Sequence, residues 1–169
     1  MFTYNSSSPF DGIISQLQRE CNGNVHQKGV VNITSSGDWR NPCYNLVDYG
    51  WREYWYSTGQ ENSWVCFDFK EKKVCLSGYT LKSDGRAPYA QFLNWTIHGS
   101  NDGSSWSDVL DSQDTAAVEG ANFMVRHFDC PRTDRSYRFI RIQMRGKNNC
   151  DNYYMGLSEV EFFGTLSRV

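Results

Sequence analysis

The sequence predicts an antiparallel β-sandwich or barrel of about eight main strands with one short helix. Short segments in which apolar residues alternate recur along the chain, and stretches rich in Gly, Asp and Asn separate them. Aromatic residues, which favour strands, make up 15% of the 169 residues. Apolar residues at helical spacing occur only near the start, so strands must supply most of the core.

The predicted helix lies in the segment FDGIISQLQREC, at residues 10–21. Ile13, Ile14, Leu17 and Cys21 are spaced along one face of a helix, and the following Asn-Gly pair is typical of a helix end. Residues 1–9 are polar, and we expect them to form a tail or the stub of a linker.

The predicted strands continue to the end of the chain. They lie at 29–36, 64–69, 74–83, 94–99, 123–130, 137–144 and 157–164, with a short strand at 109–110. In the last one, alternation places Val160 and Phe162 on one face and Glu159, Glu161 and Phe163 on the other. We expect this apolar strand to close a sheet beside an early strand.

Four segments in this order, WVCFDF, LNWTIHGSNDGSSW, YRFIRI and LSEVEFFG, resemble the coagulation-factor type C domain, also called the discoidin domain. The run W-x-I-x-GSNDG-x-x-W is the most specific part. The resemblance covers residues 10–166, leaves 167–169 as a tail, and implies a jelly roll of the galactose-binding-like group. It also implies core positions for seven residues: Trp64, Trp95, Ile97, Trp106, Phe139, Ile142 and Phe162.

Composition excludes several classes of partner and location. The net charge is −2 with no long run of one sign, so we expect no nucleic-acid binding and no capture by an anionic membrane. We find no apolar run of spanning length and no signal peptide. Secreted members of the resembled family join the domain ends by a disulfide, and no cysteine here follows Gly164 or precedes Cys21. We therefore expect reduced cysteines and a cytoplasmic location, and the N-terminal segment resembles the intracellular version found in larger multidomain proteins.

No catalytic motif is present. The chain contains no G-x-S-x-G, H-E-x-x-H, P-loop or G-x-G-x-x-G sequence, and its cysteines and histidines lack zinc spacing. The three histidines lie apart at His26, His98 and His127. We predict a protein that is not an enzyme.

Three loops are predicted to form a binding end, because the resembled family places its ligand sites in loops at one end of the sandwich. The loops are 37–44, 84–91 and 146–154, and they combine aromatic residues with directed hydrogen-bonding groups. The candidate ligand-binding residues are Trp39, Arg40, Arg86, Tyr89, Asn148, Asn149, Tyr153 and Tyr154.

A calcium site is a second candidate, and no other cofactor is expected. The stretch NLVDYGWREYW matches the segment in which sugar-binding relatives of the family hold calcium, with Tyr49 in place of the usual glycine. Asp48, Glu53 and Glu159 would begin the oxygen cage that a hard cation needs. The alternative is that Asp48 caps a turn and the glutamates face water or an arginine.

These observations predict a non-catalytic recognition module. Trp, Tyr and Arg dominate protein interfaces, which favours protein–protein interaction within a larger protein. The alternative is binding of a galactose-type glycan, supported by calcium, because the same residue types stack on sugars and bind their hydroxyl groups.

Overall fold

The computed structural model describes residues 1–86, 91, 93–114, 122–131 and 134–169. These residues form one α-helix, one 3-10 helix and eleven strands. The helices are α1 (Ile13–Cys21) and the 3-10 helix Cys43–Val47. The strands are β1 (Asn32–Ser35), β2 (Asp38–Arg40), β3 (Trp55–Ser57), β4 (Trp64–Asp68), β5 (Lys72–Lys82), β6 (Trp95–Ser100), β7 (Asp108–Gln113), β8 (Val125–Asp129), β9 (Phe139–Met144), β10 (Gly156–Leu157) and β11 (Glu159–Arg168).

The strands pair in three antiparallel sheets. The largest has the order β1-β4-β9-β6-β7, the second β11-β5-β8, and the smallest β10-β3-β2. Phe67 of the first sheet and Phe162 of the second meet edge to face, with ring centroids 4.9 Å apart. Both rings are fully buried, so the core lies between these two sheets. The predicted all-β jelly-roll sandwich is confirmed.

The seven residues assigned to the core by resemblance divide into two groups. Trp95, Ile97, Ile142 and Phe162 are fully buried. Trp64, Trp106 and Phe139 are half-buried. The Arg141 guanidinium lies 4.0 Å from the ring centre of Trp106 and 5.7 Å from that of Trp64. These two tryptophans therefore cover a cation instead of filling the core.

Helix α1 and strand β11 are joined by a buried carboxylate. Glu161 accepts hydrogen bonds from the backbone N–H groups of Gly12, Ile14 and Ser15, at 3.1, 2.9 and 2.9 Å, and from that of Phe162 at 2.7 Å. The first turn of a helix leaves N–H groups without partners, and an anion there is stabilised by the helix dipole. Glu161 therefore caps the helix.

The N-terminal segment, predicted as a tail or linker stub, contacts the sandwich. Phe2 and Gly164 exchange two backbone hydrogen bonds, at 2.7 and 2.9 Å. The ring of Tyr4 stacks on that of His127, with centroids 3.7 Å apart. Apolar and aromatic side chains at positions 2 and 4 thus attach this polar stretch to β11 and β8.

Candidate functional site

Strand β3 brings the first and third predicted loops together. It pairs with β2 on one side, where Arg40 is opposite Tyr56, and with β10 on the other, where Gly156 is opposite Tyr56. Asp38 fixes the start of β2, because its carboxylate accepts a 2.7 Å hydrogen bond from the indole N–H of Trp55. Residues 37–44 are predicted as a loop, but the structure forms a short strand and the start of a 3-10 helix there.

Four aromatic rings form a continuous group at this end, which we call the aromatic cluster: Trp39, Tyr54, Tyr56 and Tyr154. Tyr56 lies at its centre, with ring centroids 4.9 Å from Tyr54, 6.3 Å from Trp39 and 6.4 Å from Tyr154. Trp39 and Tyr154 meet edge to face at 5.9 Å. Tyr54 and Tyr56 are buried, whereas Trp39 is 61% exposed. The cluster therefore has a fixed base and one protruding indole.

Two arginines lie on the faces of the buried tyrosines. The Arg86 guanidinium is 4.1 Å from the ring centre of Tyr54 and 4.7 Å from that of Tyr56. Arg40 is 4.7 Å from the Tyr54 ring and forms a 3.3 Å ion pair with Glu53. A cation over an aromatic face is attracted by the ring quadrupole, so both guanidinium groups are held in place with donors left over for a ligand.

A buried carboxylate supports Arg86 from below. Asp84 is 1% exposed, and one of its oxygens accepts a 2.6 Å hydrogen bond from the Arg86 backbone N–H. Burial raises the pKa of Asp84, although this N–H bond acts in the opposite direction. Burial also raises the pKa of the Tyr56 hydroxyl, and the charge of Asp84 raises it further. The Asp84 carboxyl and the neutral phenol of Tyr56 thus place polar oxygen atoms next to Arg86.

The third loop is organised by two asparagines. Asn148 is buried, and its amide N–H donates to the Tyr154 carbonyl at 2.9 Å and to the Asn152 side chain at 2.6 Å. Asn149 exchanges two hydrogen bonds with the backbone of Gln91, at 3.0 and 3.1 Å, which links this loop to the second one. The structure thus uses both residues to hold loops, and direct ligand contact by either stays a prediction.

The structure brings together four of the eight predicted ligand-binding residues: Trp39, Arg40, Arg86 and Tyr154. Tyr153 is half-buried, and it takes part in no ring contact found in the described part of the chain. Tyr89 lies outside the described residues.

Tyr54, Tyr56 and Asp84 belong to this site and were missed in the sequence. The segment EYWYS places two tyrosines two positions apart, which puts both on one face of a strand. The calcium prediction for the overlapping stretch NLVDYGWREYW does not use this spacing.

The predicted calcium cage is not formed by its three carboxylates. Glu159 is buried, and its two oxygens are occupied by the Lys82 ammonium at 3.3 Å and by the Gly50 backbone N–H. Lys82 therefore supplies the positive charge that a cation would bring to Glu159.

The other two carboxylates have separate partners. Asp48 accepts a 2.9 Å hydrogen bond from the Asn24 side chain, and Glu53 pairs with Arg40. No group of three or more His, Cys, Asp or Glu side chains within the described residues is arranged to hold a metal ion. In this structure Asp48, Glu53 and Glu159 each interact with a different part of the chain, and calcium binding by them stays a prediction.

One histidine has the neighbours of a catalytic base. His127 lies 3.2 Å from the Thr80 hydroxyl and 3.1 Å from the Asp129 carboxylate. Thr80 is fully buried and Tyr4 stacks on the imidazole, so a substrate has no approach to the hydroxyl. Burial lowers the pKa of His127, against the effect of Asp129. This group is a packing arrangement.

The sequence matches the profile of the F5/8 type C domain over residues 29–160. The chain belongs to this family. Its domains are non-catalytic binding modules, which agrees with the loop-end cluster and with the buried Thr80. No helix among the described residues is long and apolar enough to cross a membrane.

The chain is similar in sequence to one curated protein and in structure to several solved domains. The chain is 28% identical over 150 residues to the Drosophila melanogaster E3 ubiquitin-protein ligase Ufd4; the match covers 85% of the chain but spans 6% of that protein. It resembles a Clostridium perfringens CBM32-3 structure with a TM-score of 0.65 and 14% identity, over 81% of this chain and 92% of that one. A C. perfringens CBM32-5 structure, solved with GalNAc-β-1,3-galactose, gives a TM-score of 0.64 and 10% identity, over 80% and 96%. These structures share the fold.

Proposed function

We propose that the aromatic cluster and its two arginines are a protein-binding surface, through which this domain recognises a partner for a larger intracellular protein. The observation that carries the proposal is the position of Arg86, whose guanidinium covers the faces of Tyr54 and Tyr56. Trp39 protrudes beside it and is 61% exposed. Protruding Trp and pre-positioned Arg are the side chains that contribute most to protein interfaces.

The covered tyrosine faces argue against a sugar on the same rings. A sugar stacks its C–H groups on an aromatic face that is open to solvent. Tyr54 has Arg86 and Arg40 within 4.7 Å of its ring centre, and Tyr56 has Arg86 at that distance. A glycan would have to displace these guanidinium groups, whereas a protein carboxylate or carbonyl would accept hydrogen bonds from them.

Carbohydrate binding is the second candidate, and one observation favours it. Trp39 offers a large indole to solvent next to Arg40, which is the pairing of a stacking face with a planar donor. The similar CBM32-5 structure was solved with GalNAc-β-1,3-galactose. Under this reading a galactose-type glycan would stack on Trp39.

The similarity to a protein named as a ubiquitin ligase suggests which kind of partner this domain would bind. Because the chain spans 6% of that protein, this domain would act as one recognition unit of a much longer chain. We infer that the partner is a protein which the longer chain must hold, and that both are inside the cell.

The test compares the wild-type domain with Trp39→Ala and with Val109→Ala. Val109 is 57% exposed on β7, so its substitution is a matched loss of an exposed apolar group. A purified partner obtained by affinity capture should bind wild type and Val109→Ala alike and should lose at least about tenfold in affinity for Trp39→Ala.

Melting-temperature measurements with glycans distinguish the protein-binding proposal from the carbohydrate-binding one. If a galactose-containing glycan raises the melting temperature of wild type and Val109→Ala but not of Trp39→Ala, the site is a sugar site and the protein proposal fails. If Trp39→Ala changes neither protein capture nor glycan binding, the aromatic cluster is not the binding surface.

A further inference from the structure

A second charged site lies at the other end of strand β5 from the aromatic cluster. A cleft of about 760 Å³ is lined there by Lys70, Glu71, Lys72, Lys73, Asn101, Arg138, Arg168 and Val169. We call it the basic cleft. Five of these eight residues are cationic and one is acidic, although the chain as a whole carries a net charge of −2. The cleft therefore concentrates positive charge that the net charge of the whole chain does not reveal.

Most of these cations lack a counter-ion. Arg138 is paired with Asp68 through two hydrogen bonds, at 2.7 and 2.9 Å. Lys70 donates a 2.7 Å hydrogen bond to the carbonyl of Gly29, and its charge helps to lower the pKa of the nearby Asp68 carboxyl. The three remaining cations, Lys72, Lys73 and Arg168, form no ion pair with any described residue.

The fold places two of these charges directly against each other. Lys72 and Arg168 are opposite residues in the antiparallel pairing of β5 with β11. Like charges in that relation repel and destabilise the pair. An anion bound between the two side chains would interact favourably with both, so the arrangement favours a ligand with negative charge.

We propose that the basic cleft binds an acidic peptide segment, with its carboxylates on Lys72, Lys73 and Arg168. The cleft has the volume of an ordinary ligand site, and seven of its eight lining residues carry polar or charged side chains. No aromatic residue lines it, so it lacks the stacking platforms of single-strand nucleic-acid sites. Val169 is its single apolar residue, whereas an amphipathic surface that inserts into a membrane presents a whole apolar face.

The basic cleft is independent of the proposed function. Strand β5 runs from Lys72, at the cleft, to Lys82, two residues before Asp84 of the aromatic cluster. Eleven residues of extended strand span about 33 Å, so one ligand group cannot contact both places. The domain would therefore hold an acidic segment at one end and a second partner at the other.

The experiment is a fluorescence-anisotropy titration of the wild-type chain with a labelled hexaglutamate peptide, and with hexaglutamine as the neutral peptide control. The test variant is Lys72→Gln/Arg168→Gln. The matched control is Lys28→Gln/Arg126→Gln, which removes the same charge from exposed positions outside the cleft.

We expect hexaglutamate to bind wild type and the control variant within about twofold of each other, and the cleft variant at least about tenfold more weakly. Added salt should weaken the wild-type complex. Because the substitutions remove a repulsive pair, the melting temperature of the cleft variant should not fall, which separates lost binding from lost folding.

Three results would overturn the proposal. Wild type could fail to bind hexaglutamate at low salt. The cleft and control variants could weaken binding equally, which would make the effect one of net charge. Vesicles containing phosphatidylserine, or single-stranded DNA, could bind more tightly than hexaglutamate through the same two residues, which would assign the cleft to a different class of partner.

Discussion

The carboxylate of Glu161 accepts a 2.9 Å hydrogen bond from the backbone N–H of Ile14, and this contact attaches the only α-helix of the described residues to the last strand. Glu161 is fully buried. Burial raises the pKa of Glu161 to about 7, while the backbone N–H groups that donate to it lower that pKa. The cap is therefore a titrating group in the neutral range.

This pKa predicts a pH-dependent stability. The folded state binds the Glu161 proton more tightly than the unfolded chain, where the pKa is near 4.5. Stability from this group is thus fully present below that value and is lost as the pH rises towards 7, by roughly 2 to 4 kcal/mol. In urea denaturation at several pH values, the free energy of unfolding of Glu161→Gln should not show this decline.

Glu20→Gln is the control for this prediction, since Glu20 is exposed on the same helix. Its pH profile should run parallel to that of wild type. A Glu161→Gln profile that is also parallel to wild type would show that Glu161 does not titrate in this range.

The second prediction concerns the ion pair between Lys82 and Glu159. Lys82→Met should leave Glu159 buried without its ammonium partner and lower the free energy of unfolding by about 3 to 5 kcal/mol. Lys82→Met/Glu159→Leu should recover much of this loss, because no buried charge then remains. Millimolar calcium should leave the wild-type melting temperature unchanged.

Chemical denaturation measures both variants, and Lys28→Met serves as control because Lys28 is exposed. A double variant that is no more stable than Lys82→Met would show that the loss comes from packing of the lysine stem. A rise in the wild-type melting temperature with calcium would contradict this prediction and would support a metal site that includes Glu159.

The sequence predicts the long strands of this domain well, because apolar alternation over five or more residues is visible in β4, β5, β6, β8, β9 and β11. It misses β2, β3 and β10, which have two or three residues each. Strands this short show at most one repeat of the two-residue period, as in EYWYS, and their pairing around Tyr56 is decided by the tertiary structure.

The candidate site was predicted at the level of loops. The aromatic and Arg-containing loops are predicted to converge, and Trp39 and Arg86 do both lie next to Tyr56. The roles of Asn148 and Glu159 could not be read from the sequence, because each depends on a partner that folding supplies. A glutamate that pairs with a lysine in space and a glutamate that binds calcium can have the same neighbours in the sequence.

The third prediction tests the loop that carries Tyr154. Asn148→Ala removes a buried amide that bonds to Asn152 and to the Tyr154 carbonyl, and it should lower the free energy of unfolding by about 1 to 3 kcal/mol. Partner binding should weaken as Tyr154 loses its position beside Trp39. Lys147→Ala, at the exposed neighbouring position, should change stability little, because surface ion pairs contribute little.

Thermal denaturation and the binding assay with the captured partner check the two parts separately. If Asn148→Ala unfolds at the wild-type temperature, its hydrogen bonds are not needed to hold the loop. If it is destabilised but binds normally, the loop does not position the aromatic cluster.

The last prediction concerns the N-terminal segment, which the sequence presents as a tail. Tyr4→Ala removes the ring that stacks on His127 and meets Phe163 edge to face at 5.7 Å, so it should destabilise the domain by about 1 to 3 kcal/mol. Backbone N–H groups near Phe2 should exchange with solvent faster in this variant, because the bridge to Gly164 depends on the segment staying in place. Ser6→Ala, at an exposed position in the same segment, is the control. Equal melting temperatures and equal exchange in the two variants would mean that residues 1–9 act as the tail first expected.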